Sequence, residues 1–189
     1  MKRMTRPACI ASALFALAAC ATDAGPKNEP APPPAVPAPV AAPVAAPGPA
    51  KPDPVVVDNQ DPDGRFTTQG NWHNATAGGD WGSNPCHWAR PDPSGGTLAR
   101  WETKLPASGR WQVFVWYGYD PYDDHATDVP YTIDHADGET AVRVNQKLNE
   151  QKWNPLGTFR FDADRPAIVT VSTDTDGNVI ADAVKFVAE

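Results

Sequence analysis

Twelve of the 34 residues from 21 to 54 are proline and ten are alanine, and this stretch limits where the chain can build regular structure. Proline fixes φ near about −65° and carries no backbone N–H, so at this density neither a helix nor a sheet ladder forms. The Pro32-Pro33-Pro34 run and the Pro-Ala-Val steps after it read as a disordered, semi-rigid arm. In polyproline II geometry, at about 3.1 Å per residue, its reach is roughly 100 Å. Folding is therefore confined to the two flanks. Downstream, residues 55–189 are the right size for one domain with one core.

Upstream, residues 1–19 read as an export leader, or signal peptide. Lys2, Arg3 and Arg6 form a basic front, and residues 8–18 an apolar segment too short to span a bilayer. Its end, Leu17-Ala18-Ala19-Cys20, resembles the lipobox of bacterial lipoproteins. The resemblance implies cleavage before Cys20, acylation of that cysteine (palmitate included) and a lipid anchor. Each buried acyl methylene contributes about 0.8 kcal/mol, so several chains make such an anchor effectively permanent. An Ala-x-Ala site around residues 16–21 leaves an ordinary cleaved signal peptide as the alternative. Ala21 rather than Asp after the cysteine resembles the address of the cell outer membrane, on its periplasmic or its surface face.

Without the leader's three basic residues, 13 Lys and Arg face 23 Asp and Glu. That balance argues against nucleic acid as a partner and against adhesion to an anionic membrane by charge. Cys9 leaves with the leader and Cys20 would carry lipid, so Cys86 is the remaining thiol and no internal disulfide can form. We expect it to be buried and inert. An intermolecular bridge, or a metal site shared with His87, is the alternative, but adjacent Cys-His without a second pair is a weak zinc signal.

From residue 55 the texture changes to short β-rich runs, predicted at residues 55–58, 65–68, 97–103, 110–117, 130–135, 140–146, 156–161, 167–173 and 179–187. Asp137-Gly138 and Asp176-Gly177 read as hairpin corners, and Asp63-Gly64 and Ser108-Gly109 as turns. No segment sustains a 3.6-residue apolar period. The pattern predicts an all-β fold, a β-sandwich of jelly-roll type. Residues 111–117 are apolar on both faces, which suits a central strand. In the last run Asp182 falls in phase with Ile180, Val184 and Phe186, so its carboxylate must be paired or hydrogen-bonded within a structural polar network.

Four blocks carry a family likeness: residues 126–133 with His135, residues 144–146, Trp153-Asn154-Pro155-Leu156-Gly157-Thr158-Phe159, and Asp176-Gly177 with residues 179–186. Together with Gly70-Asn71-Trp72, Trp81-Gly82-Ser83 and Gly109-Arg110-Trp111, they resemble the golvesin C-terminal domain, the carbohydrate-binding-like domain appended to xanthan lyases. The likeness covers essentially the whole folded part. It implies a galactose-binding-like sandwich that is a non-catalytic appendage, with no cofactor.

Two loops combine flat aromatics, which pack on sugar C–H faces, with the polar groups that bond hydroxyls. One is residues 72–88, with His73, Asn74, Asp80, Trp81, Asn84, His87 and Trp88; the other is residues 117–128. Trp101, Trp111 and Trp116 lie on predicted strands and are assigned to packing, as are Trp72 and Trp153. Trp81, Trp88, Tyr119, Tyr122, Asp123 and His125 are the candidates for a ligand. Asp120, Asp123, Asp124 and Asp128 could chelate calcium, but EF-hand spacing is lacking and a solvated acidic loop is expected, with no metal. The Asp174-Thr175-Asp176-Gly177-Asn178 stretch is expected to be a hairpin turn. No Gly-x-Ser-x-Gly, His-Glu-x-x-His or phosphate loop occurs, and no catalytic residue is assigned. The sequence thus points to an outer-membrane lipoprotein that binds a polysaccharide or envelope glycan non-catalytically. A protein-docking envelope module is the alternative, and a glycoside hydrolase or lyase a more distant one.

Overall fold

The computed structural model of the protein describes residues 50–75, 78–83 and 85–189. The expected leader, Cys20 and the arm up to residue 49 lie outside the described residues, as does Asn84.

The described chain forms β1 (Val55–Asp58), β2 (Phe66–Gln69), β3 (His73–Ala75), β4 (Cys86–Ala89), β5 (Leu98–Lys104), β6 (Gly109–Trp116), β7 (Val129–His135), β8 (Gly138–Val144), β9 (Asn154–Phe161), β10 (Pro166–Ser172), β11 (Val179–Ala181) and β12 (Ala183–Ala188). A four-stranded sheet has the order β1-β12-β6-β9, and a five-stranded sheet the order β2-β5-β10-β7-β8. A small third sheet runs β11-β4-β3. Val113, Val115, Val184 and Phe186 from the first sheet and Trp101, Tyr131, Ile133 and Val169 from the second meet in one buried cluster. This is the expected all-β sandwich. β6 is central, between β12 and β9, with Trp111, Val113 and Val115 buried and Gln112, Phe114 and Trp116 half-buried. At the edge strand β9, exposed Pro155 offers no donor, and the register shifts opposite Val113 and Phe114. Both features blunt pairing with another chain.

Three expectations are corrected. Residues 72–88 are not one loop, since β3 and β4 form within them; strands of three and four residues are too short to show a period. The predicted run 179–187 is broken at Asp182, where the chain leaves β4 as partner and joins β6. Asp176-Gly177 is not a hairpin corner: it follows β10, which pairs with β5 and β7, and precedes β11, which pairs with β4. Asp137-Gly138 does close the β7–β8 hairpin, with Gly138 at φ 120°.

Candidate functional site

The small sheet presents one face as a wall. Ile180 pairs with Trp88, and Ala75 with Cys86. Directly paired residues share a face and alternate residues return to it, so these four side chains stand together. Loops of residues 117–128 and 173–178 rise opposite and enclose a cleft of about 770 Å³, within the size range of small-ligand sites. The two loops are fastened to each other. Asn178 N donates to the Asp124 carbonyl at 2.9 Å, Ala126 N donates to the Asn178 carbonyl at 2.8 Å, and the Asn178 amide reaches Asp124 Oδ2 at 2.8 Å. Asp176 accepts from both the backbone N and the hydroxyl of Thr127, and these bonds, the hydroxyl's first, hold its carboxyl below the usual range.

Gly177 permits that closeness. A Cβ there would lie 2.8 Å from the Asp124 carbonyl oxygen and 2.9 Å from Ala126 Cα, both rigid backbone. Gly177→Ala is therefore expected to prise the loops apart, lowering stability by about 1–3 kcal/mol and deforming the cleft; urea denaturation measures the first effect.

Of the sequence-derived candidates, Trp88, Tyr119, Tyr122, Asp123 and His125 line this cleft. Tyr119 and Tyr122 are 48% and 83% exposed, free to meet a ligand, while His125 is buried. Trp81 is not among the lining residues. Its ring packs at 4.7 Å from Trp153 and 5.3 Å from Trp116, and Lys185 Nζ lies 4.3 Å from the Trp153 centroid. His73 packs at a tilt against Trp88 at 4.8 Å, and His87 Nδ1 takes the Asn59 amide at 2.8 Å. The acidic loop does not converge on one point. Asp123 pairs with Lys147 at 2.9 Å, Asp124 meets Asn178, Asp128 pairs with Arg143 at 3.2 Å, and Asp120 turns inward.

Arg90, Lys147, Asp176 and Asn178 also line the cleft and were missed. Arg90 falls just past the first candidate loop and Lys147 about 20 residues beyond the second, while the Asp-rich segment holding Asp176 and Asn178 imitates an ordinary turn. The arrangement offers aromatic faces beside carboxylates, an amide and two cationic groups, a set that packs on and hydrogen-bonds a polyol.

Beside the cleft lies a group of buried acids. Asp182 is fully buried; its Oδ2 accepts from Trp81 N at 3.0 Å and its Oδ1 has no partner. Burial first, then the neighbouring Asp80 and Asp58 charges, push its pKa up to about 8. The buried carboxyl is thus accommodated mainly by protonation rather than by an ion pair. Cys86 is buried too, and burial first, then the neighbouring Asp80 charge, pushes its thiol up. A protein thiol so placed is unreactive, so Ellman's reagent should leave native Cys86 unmodified and label it only on unfolding.

These features define a class: a β-sandwich domain with an aromatic- and carboxylate-lined cleft built by loops against a small third sheet. Within that class the chain belongs to the golvesin C-terminal domain family, which matches residues 55–188. It is 34% identical over 143 residues to xanthan lyase of Bacillus sp. (strain GL1), covering 71% of this chain and 14% of that protein. The solved Paenibacillus xanthan lyase superposes with a TM-score of 0.64 at 32% identity, over 72% of this chain and 13% of that one. The chain thus spans only about a seventh of the xanthan lyases it matches. A family 35 carbohydrate binding module from Clostridium thermocellum, 12% identical, superposes with a TM-score of 0.50 over 71% of this chain and 98% of its own length. That likeness is one of fold.

Proposed function

We propose that residues 55–189 are a non-catalytic glycan-binding module, held at the outer membrane by lipid on Cys20 and extended from it by the Pro/Ala arm. The observation that carries the binding reading is the cleft itself, where Trp88, Tyr119 and Tyr122 stand beside Asp123, Asp176 and Lys147. Flat rings supply stacking surfaces for pyranose C–H faces, and the fixed polar groups select hydroxyls. The fold shared with a carbohydrate binding module and the family shared with a segment of xanthan lyases support the same ligand class. The anchor reading is supported by Lys2, Arg3 and Arg6, the short apolar core and Leu17-Ala18-Ala19-Cys20.

The test is retention of the full chain on a panel of envelope and plant polysaccharides, beside a Trp88→Ala, Tyr122→Ala double variant. Each ring contributes about 1 kcal/mol of stacking, so at least one polysaccharide should be bound and the variant should bind it roughly ten-fold or more weakly. Retention by none of them, or binding indifferent to the variant, would overturn the reading.

A further inference from the structure

We infer that Asp120, His125 and Glu150 form a site for one divalent transition-metal ion of the zinc class. One ligand atom from each lies within 4.8 Å of those from the others. His125 is 4% exposed, and its Nδ1 is buried without a hydrogen-bond partner. That nitrogen faces Asp120 Oδ2 at 3.9 Å and Glu150 Oε1 at 4.0 Å. These separations are too long for hydrogen bonds. They are slightly wider than the edge of about 3.4 Å spanned by two ligands in a tetrahedron with bonds of roughly 2.0–2.1 Å. A small inward shift of each side chain would therefore seat an ion between them.

The surroundings suit a metal in two further ways. Backbone donors already aim the carboxylates: His125 N reaches Asp120 Oδ2 at 2.7 Å, Tyr122 N reaches Asp120 Oδ1 at 3.2 Å, and Asp120 N reaches Glu150 Oε1 at 3.1 Å. Such outer hydrogen bonds fix ligand orientation in metal sites. No Lys or Arg among the described residues makes an ion pair with Asp120 or Glu150, whereas nearby Lys147 is engaged by Asp123. One imidazole nitrogen with two carboxylate oxygens suits zinc and its first-row neighbours, while calcium takes oxygen ligands. Asp120 and His125 border the cleft, so a fourth ligand, water or a hydroxyl, would come from that side. The ion would clamp the loop of residues 117–128 to the segment between β8 and β9. This inference stands whether or not the cleft accepts a glycan.

The test uses the full chain, purified in detergent and stripped with chelator, titrated with Zn²⁺ and separately with Ca²⁺ by calorimetry and thermal melting. The expected result is one Zn²⁺ bound per chain, a melting temperature raised by about 5 °C at saturating metal, and no comparable response to Ca²⁺. Co²⁺ in place of Zn²⁺ should give visible d–d absorption. Glu150→Gln, which keeps shape and the Asp120 N acceptor, should weaken Zn²⁺ at least about ten-fold with little change in the metal-free melting temperature. His125→Gln provides a second variant with the same expectation for binding. Absence of stoichiometric Zn²⁺ binding, or binding unchanged in both variants, would overturn the site.

Discussion

Raising the pH from about 5 to about 9 should lower the melting temperature of this protein, and Asp182→Asn should remove most of that component. Asp182 titrates near pH 3.8 in the unfolded chain and at about 8 in the fold. Between those values the native state holds a proton that the unfolded state has released. Its contribution to stability is therefore complete below about pH 4 and is lost as the pH rises through about 8. Each unit of pH within the window costs about 1.4 kcal/mol, several kcal/mol in all. Asp80, raised by its own burial, acts in the same direction. His87, lowered by burial, acts in the opposite one. The quantity that isolates Asp182 is thus the difference between wild type and Asp182→Asn across pH, measured by calorimetry or urea titration. A difference that does not grow between pH 5 and pH 8 would show that the carboxyl is ionised without penalty.

The second large effect lies at Trp101, whose replacement by alanine should cost about 4–5 kcal/mol. The ring is 1% exposed, packs 5.3 Å from Phe66, and donates from Nε1 to the Asp182 carbonyl at 3.1 Å. It therefore ties the five-stranded sheet to the point where the chain passes between β11 and β12. Trp101→Phe separates volume from hydrogen bonding. The Asp182 carbonyl still accepts Asn59 N at 2.9 Å, so this milder change should cost about 1–3 kcal/mol. Urea midpoints at constant slope would measure both. Equal losses for the two variants would show that the indole N–H, not the ring's bulk, dominates.

Alternation carried most of the fold in sequence. The runs that became β5, β7 and β10 were readable because each keeps a period of two over seven residues, and β6 because it is a β-rich run apolar on both faces. β3 and β4 were not, because neither is long enough to repeat and their order comes from pairing with each other and with β11. Asp182 shows the same limit in another form: its phase announced burial, but the break in the strand depends on two partner strands, β4 and β6, that are remote in sequence. In the cleft, Tyr119, Tyr122, Asp123 and His125 were legible as one polar and aromatic loop, and Trp88 from its neighbourhood. Trp81 carries the same chemistry in sequence, yet its ring finds Trp116 and Trp153. Glu150 and Lys147 gave no local sign, since what sets them apart is the proximity of a loop some 25 residues earlier.

The joint at Asp182 also has a mechanical meaning. β1 follows the arm in sequence and pairs along its full length with β12, ending at Asp58 opposite Ala183. One residue further, Asn59 N bonds the Asp182 carbonyl, and beyond Asp182 the chain becomes β11, a strand of the cleft wall. If the chain is tethered through Cys20 as proposed, a pull on a bound polymer would travel from β11 across Asp182 into the β1–β12 ladder and out to the arm. The proton on Asp182 would then sit at the hinge of that load path.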